Sequence, residues 1–506
     1  MLNFWKTLPC LRGALLLLLT ASWTVAQAEE TYSLISKRGS GDVDLIEKTF
    51  DAAGTLLLEI DPNTHVSKAS PGREQENAEG KKENKTDENS GENTGNAGSS
   101  ENVKNTDSAS GQNTETLKEP LIQKIPMKVT SKQKYEEMLI QSGNLLQGET
   151  AKSTLGAWYF LENETTIQID KTEVKPQLDL NQPLIGVDIS NAHPNFFRKD
   201  GFLTRDELDV INVQGNTLLA DYFLPNRDGV KIGDSWKQSP DTMGILLQMD
   251  LVFNLDIKTK LAEVKKNIAI LETSGWLEGS YEGNTSKIEV TGKAYFDLTR
   301  GRVVWFGLVI QEKRTAGFIS PGMDVTAKIQ YKITPQESSK NLTPEAAAAL
   351  EFDPAQYGLL LYQDPRKVWQ FVLSPEWEPM NQNEFQSNFR LIRDGQLVAQ
   401  CTVNKVQATT ATKNIKPEDF AEEIKGMLKE QFDSILDIKT QKREDGSDVI
   451  RVDVAAKYEG ISLRIFYYLI TKGEQQYTIV FTLEDNLLEN FGELNETMVQ
   501  SFKWMK

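Results

Sequence analysis

Two histidines, two cysteines and 73 acidic residues are the raw material for chemistry in this 506-residue chain. His65 and His193 stand far apart, too few and too distant to make a histidine-rich metal site. A serine triad would have to use His193, and the chain has no GxSxG elbow, P-loop or CxxC pair. His193, in NAHPNFF, reads as a loop residue packed beside Phe196 and Phe197. The stretch from Asp200 to Leu208 (DGFLTRDEL) imitates half of a calcium loop. Asp200, Gly201, Leu203 and Glu207 fall at loop positions five, six, eight and twelve. Positions one and three would be Phe196 and Arg198, whose side chains offer no oxygen. A turn followed by a capped strand or helix explains these residues instead. No metal, cofactor or catalytic residue is assigned.

Carboxylate chemistry needs two acids at a set distance across a cleft. Glu272, Glu278 and Glu289 lie on expected strands, where alternation sends charges to the solvent face. A carboxylate-dependent hydrolase therefore stands as an alternative only. The aromatics Trp276, Tyr281, Tyr295, Phe296, Trp305 and Phe306 gather on the same strands. Core packing and cross-strand pairing account for them. The sharper reading is the lining of an apolar cavity in a curved sheet, with Trp276, Tyr295 and Trp305 as ligand-binding candidates. Cys401, in LVAQCTV, shares parity with Leu397, Ala399 and Val403, so it faces a core and is not a nucleophile.

The bulk properties narrow the classes further. Lys and Arg number 56 against 73 Asp and Glu, a net charge of −17. That balance opposes nucleic-acid binding and docking to anionic lipid. The N-terminus reads as an export signal: Lys6 and Arg12, then an apolar run from Gly13 to Val25, then Ala26-Gln27-Ala28 as the cleavage pattern. The run is short for a bilayer span, and an uncleaved anchor is the alternative. Cleavage after Ala28 leaves 54 basic against 73 acidic residues and the single thiol of Cys401. No disulfide framework exists, although an exported location would permit one.

Val66 to Lys118 is polar and free of aromatics, too poor in apolar surface to offset the entropy of ordering. It is expected to be disordered. As a free coil its ends would lie roughly 40 Å apart. Thr31 to Asp61, before it, reads as strand material with a turn at Gly54. Some thirty residues cannot form a core alone, so they must pair with strands beyond the run. The run is thus expected to be an insertion inside one β-rich domain, residues 29–335. Lys134 to Gln147 reads as a helix, Trp158 to Ile169 as two short strands, and Val187 to Arg205 as loop. Glu207 to Phe223 reads as one strand and one helix. From Asn267 the pattern is antiparallel β, with turns at Gly283-Asn284, Arg300-Gly301 and Pro321-Gly322.

Residues 336–352 read as a polar linker with a short helix opened by Thr343-Pro344. Beyond it, Val368 to Leu373 is a strand, and FRLIRDGQLVAQCTV is a hairpin around Asp394-Gly395. Pro417 to Phe432 is an amphipathic helix with Phe420, Ile424, Met427, Leu428 and Phe432 on one stripe. Strands at Ile435–Lys442, Val449–Tyr458, Ile461–Ile470 and Tyr477–Leu483 follow, then a helix through Leu494, Met498, Val499 and Phe502. Helices packed on one face of the sheet would bury both stripes.

Tyr362, Pro365 and Trp369 in LYQDPRKVW, together with that hairpin, PEDFAEEIKGML, ISLRIFYYLI and YTIVFTL, resemble the PsbP/Mog1-like α+β sandwich from about Gly358 to Lys506. The resemblance implies a non-enzymatic accessory or binding module and brings no catalytic set. DGFLTRDELDVINVQGN, FLPNRDGVKIGDSW and GKAYFDLTRG in the first domain resemble secreted proteins of planctomycete bacteria, a likeness that carries no activity. The expected fold class is α+β: a β-rich antiparallel first domain with a disordered insertion, then an antiparallel sheet packed against two helices. The expected function is that of an exported, periplasmic or secreted, non-catalytic binding or accessory protein. Its partner would be a protein or a small apolar ligand, with no nucleic acid and no stable membrane insertion after signal cleavage. A carrier of an apolar ligand in the first domain is a further alternative.

Overall fold

Strict alternation builds the first domain. In β13 (Gly322–Gln336) Val325, Ala327, Ile329, Tyr331 and Ile333 are buried, while Asp324, Thr326, Lys328, Gln330 and Lys332 face out. The computed structural model describes residues 30–60, 121–143, 152–317, 320–352, 358–383, 385–393, 395–406 and 415–505. The expected cleavage residues Ala26 and Ala28, His65 and the polar run lie outside them. The chain divides into two compact units, Glu59–Gln123 and the rest, so the twelve-stranded and seven-stranded sheets, called the first and second domain below, belong to one unit.

The remaining strands of the first domain are β1 (Val43–Ile60), β2 (Leu121–Gln141), β3 (Thr154–Ile169), β4 (Thr172–Val174), β5 (Leu184–Ile189), β6 (Asn195–Phe197), β7 (Leu203–Thr204), β8 (Ser235–Lys237), β9 (Leu251–Lys265), β10 (Ile268–Tyr281), β11 (Asn284–Asp297) and β12 (Arg302–Arg314). Twelve of the thirteen form one open sheet. It runs β6-β5-β3-β2-β1-β13-β12-β11-β10-β9-β8, with β4 on β3. β1 and β2, which flank residues 61–120, are neighbours in it. One sheet face is filled by α1 (Arg205–Ile211), a 3-10 turn at Thr217–Phe223 and α2 (Pro240–Leu247). Val210, Leu218, Phe223, Met243 and Leu246 from these segments are buried against the sheet.

Several expectations need correcting. Lys134 to Gln141 is not helical but the end of β2. Its inward positions are Ser131, Gln133, Tyr135, Glu137 and Leu139, so polar residues hide the two-residue period. Trp158 to Ile169 belongs to one strand, and three short strands occupy Leu184 to Thr204. Gly54 is not a turn: β1 passes straight through it, and a β-carbon there would lie 2.1 Å from the Asp324 carbonyl oxygen. Glu207 to Ile211 is helix rather than strand, opened by a capping box between Thr204 and Glu207. The linker is docked: Leu342, Ala347 and Leu350 pack on Met138, Ala157 and Phe197, on the sheet face opposite Tyr135.

In the second domain β16 (Trp377–Gln382), β17 (Gln386–Arg393), β18 (Gln396–Val406), β19 (Phe432–Lys442), β20 (Asp448–Tyr458), β21 (Ile461–Lys472) and β22 (Gln475–Glu484) form a seven-stranded sheet. Its order is β16-β17-β18-β22-β21-β20-β19. The two helices take opposite faces, not one. α4 (Pro417–Leu428; α3 being the linker helix Pro344–Ala348) buries Phe420 and Ile424 on Val452, Val454, Ile465 and Leu469. α5 (Leu494–Ser501) buries Met498 and Val499 in the other core, with Phe466, Tyr468 and Phe481. Phe432 is not on the α4 stripe, because the helix ends at Leu428 and Lys429 turns to φ +50°.

A small sheet joins the domains. β14 (Leu360–Gln363), β15 (Trp369–Leu373) and β23 (Lys503–Trp504) pair in the order β23-β15-β14-β7, with β14 parallel to β7 of the first domain. One contiguous apolar core runs from Leu34 through Leu203 and Leu360 to Phe502.

Candidate functional site

Where the two domains meet, two tight hairpin turns and the start of α1 surround a cavity of about 450 Å³. The turn Glu282-Gly283 joins β10 to β11, with φ of +47° and +78°. Gly395, at +72°, sits in the turn between β17 and β18. Around the cavity stand His193, Arg205, Asp250, Tyr281, Glu282, Glu376, Glu378 and Arg393.

Most of the charges are matched in place. The Asn191 side chain accepts from the His193 amide at 2.8 Å, fixing the loop. The His193 ring shares a hydrogen bond with Asp250 at 2.5 Å, and the other Asp250 oxygen accepts from the Glu282 amide. Arg205 reaches from α1 across the seam, 3.0 Å from Glu378, and donates to the carbonyls of Trp377 and Pro375. Arg393 holds Glu376 through two bonds of 2.8 and 2.7 Å. The Arg314 guanidinium stands 3.8 Å over the Tyr281 ring and is paired to Glu312.

Carboxylates outnumber cations around the cavity, with Asp250, Glu282, Glu376 and Glu378 against Arg205, Arg393 and the His193 ring. Removal from water carries Glu378 up to about 7, aided by Glu282 and Asp209 and opposed by Arg205. Its side chain keeps 43% of its surface open, so it remains reachable from the cavity. Glu282 is also raised, first by desolvation, then by Asp250, against the pull of Arg314. Among the described residues no three metal-ligating side chains converge.

Of the residues singled out from the sequence, His193 and Tyr281 line this cavity, while the ligand-binding candidates lie elsewhere. Tyr295 and Trp305 are register partners with rings 4.8 Å apart, on the sheet face away from α1 and α2. Trp276 is on that same face beneath the Lys287 ammonium, but six residues along its strand from Tyr295's partner Ile270, roughly 20 Å away. These aromatics make cross-strand contacts, and the interior they were expected to line is filled by α1 and α2. Glu272 and Glu278 pair with Lys293 and Lys287 on the outer face, where Glu289 is also exposed. His193 lies in a loop and its ring faces Asp250. Cys401 is fully buried in the second domain, which pushes its thiol well up. Glu207 is held by Arg198 at 2.7 Å inside its capping box.

Sequence reasoning missed Arg205, Asp250, Glu282, Glu376, Glu378 and Arg393. The turn signals at Gly283-Asn284 and Asp394-Gly395 were readable, the first one residue late against the observed Glu282-Gly283, but nothing local showed that the turns meet.

The chain matches no family model, and no curated protein matches it. Among solved structures it is similar to cyanobacterial PsbP from Synechocystis, with 12% identity and a TM-score of 0.25, over 29% of this chain and 92% of that one. It is similar to a mutant of the protein Mog1, with 11% identity and a TM-score of 0.24, over 29% of this chain and 96% of that one. A protein of unknown function from Pseudomonas aeruginosa shares 13% identity at a TM-score of 0.19, over 26% of this chain and 87% of that one.

Proposed function

We propose that the chain is an exported binding protein without catalytic chemistry, and that its ligand is a small organic cation seated in the seam cavity. The observation that carries this is a cavity of about 450 Å³ walled by both domains, whose Arg205, Arg393 and His193 are already committed to carboxylates. That volume suits a small molecule, and a domain seam is a favoured place for such a site. The lining carries more carboxylates than cations: Glu282 and Glu378, the latter already paired with Arg205, both hold a proton more tightly than usual, and the Glu282 charge adds to the effect on Glu378. An amino or guanidino group between them would replace that proton and relieve the repulsion. No nucleophile lies within hydrogen-bond reach of His193 among the described residues, so its pair with Asp250 positions a loop.

Calorimetry on the full mature chain tests this with arginine against citrulline and putrescine against butanediol. The cationic member of each pair should bind at least tenfold better, and Glu378→Gln should remove that preference. Equal binding within each pair, or no binding, rejects the reading. A second reading, a carboxylate hydrolase, draws on the same proton-holding Glu378 beside Glu282. Turnover of nitrophenyl glycosides that disappears in Glu378→Gln would favour it instead.

A further inference from the structure

A second cavity lies inside the second domain, away from the seam. It has a volume of about 260 Å³. α4 covers the β19–β20 side of its sheet face, and the cavity opens beside the helix over β18, β22 and β21. Val406, Ile415, Phe420, Tyr467, Leu469 and Val480 form its apolar wall, with Met427 at the mouth, 58% exposed. An engineered apolar cavity of roughly 150 Å³ suffices for benzene, so this one accommodates a short acyl chain or a substituted ring.

Its polar groups are gathered on the floor. Asn404 and Thr478 are register partners on β18 and β22, and both line the cavity. Neither the Asn404 side-chain amide nor the Thr478 hydroxyl has a hydrogen-bonding partner among the described residues. Gln476, next along β22, is buried beside them. These groups both donate and accept, and none is charged. Exposed Glu423 on α4 is the one charge among the lining residues. We infer that the second domain binds a small apolar molecule with an uncharged hydrogen-bonding head, such as an alcohol or amide. The head is held by Asn404 and Thr478, and a carboxylate head is disfavoured by Glu423. An amphipathic molecule of this kind fits because the apolar wall leaves water and the two floor groups gain partners.

The test is saturation-transfer NMR on the full chain with hexanol, hexanamide and hexanoate as probes. Hexanol and hexanamide should bind, with hexanoate at least tenfold weaker. Thr478→Val keeps the shape and removes the hydroxyl, so it should weaken hexanamide about tenfold. Met427→Trp, at an exposed position, should block the mouth and abolish transfer without lowering the melting temperature. Glu378→Gln at the seam should leave hexanol binding unchanged, which separates this site from the other cavity. The inference falls if no probe shows transfer, if hexanoate binds as well as hexanol, or if Met427→Trp leaves binding intact.

Discussion

Gly283 and Gly395 meet backbone to backbone across the seam. A β-carbon on Gly395 would stand 2.6 Å from the Gly283 α-carbon, and one on Gly283 would stand 3.0 Å from the Gly395 α-carbon. Two hairpin turns from different domains thus touch at the two positions that have no side chain. Both backbones are left-handed, so each glycine serves turn and contact together.

Gly395→Ala should therefore cost more than its backbone strain. Gly446, at φ +82° with nothing within 4 Å of where a methyl would sit, is the control. Gly446→Ala should cost about 1 kcal/mol in urea denaturation. Gly395→Ala should cost at least twice that, because a backbone rather than a flexible side chain must move. Equal costs would show that the turns do not press on one another in solution.

Glu378 makes a pH-dependent contribution whose sign is fixed. Its ordinary value is 4.5, and in the folded chain it is about 7. Between those values the folded protein keeps a proton that the unfolded chain has released, so stability falls as pH rises through the window. Glu378→Gln should lack this slope. Its melting temperature relative to the parent chain should climb from pH 5 to pH 8. A flat or falling difference would contradict the assignment.

Lys48 is the opposite case. It lies on the packed face of β1 opposite Tyr331, 4% exposed, with no ion-pair or hydrogen-bond partner among the described residues. Burial alone lowers it from 10.5 to about 7. Above pH 7 the folded state has lost a proton that the unfolded chain holds until about 10.5, so stability rises with pH there. At 1.36 kcal/mol per pH unit the penalty at pH 7 is at most roughly 5 kcal/mol. Lys48→Met should stabilise the chain by about 2–4 kcal/mol at pH 7, and the gain should fade by pH 10. A destabilised variant at pH 7 would mean that the amine has a partner in solution.

Glu137 anchors the inner polar cluster of the first domain. It is fully buried and accepts from Arg38 at 2.6 Å, from the Trp158 indole at 2.8 Å and from the Thr217 hydroxyl. Arg38 and Arg302 also share Asp44, at 3.1 and 2.7 Å. Glu137→Leu leaves Arg38 only its longer contact with the shared Asp44 and should cost about 3–5 kcal/mol. Arg38→Met added to it should recover part of that loss. A double variant no more stable than Glu137→Leu alone would show that the cluster is not coupled in this way.

Element type was legible wherever one face was purely apolar. The alternation from Ile288 to Phe296 and from Val325 to Ile333 announced half-buried strands, and both are observed. The unbroken run IFYYLI in β21 also held a signal that the one-face expectation overlooked. Ile465, Tyr467 and Leu469 face α4, while Phe466, Tyr468 and Ile470 face the α5 side, so both faces had to be covered. β2 was illegible for the converse reason. Its inward Gln133 and Glu137 are tolerated only because the Val210 carbonyl, Arg38 and Thr217 arrive from distant segments to satisfy them.

By itself the sequence determined the acidic balance, the hairpin turns between the long strands beyond Asn267 and the strands with one apolar face, since these depend on composition and on neighbours two or four residues away. Tertiary structure alone decided that Arg205 reaches Glu378 and that Gly283 rests on Gly395. It also decided that Trp276, Tyr295 and Trp305 look outward. Periodicity reports how much of a strand is buried on each face. It does not report which surfaces meet, and an ion pair or cavity across a seam is made by that meeting.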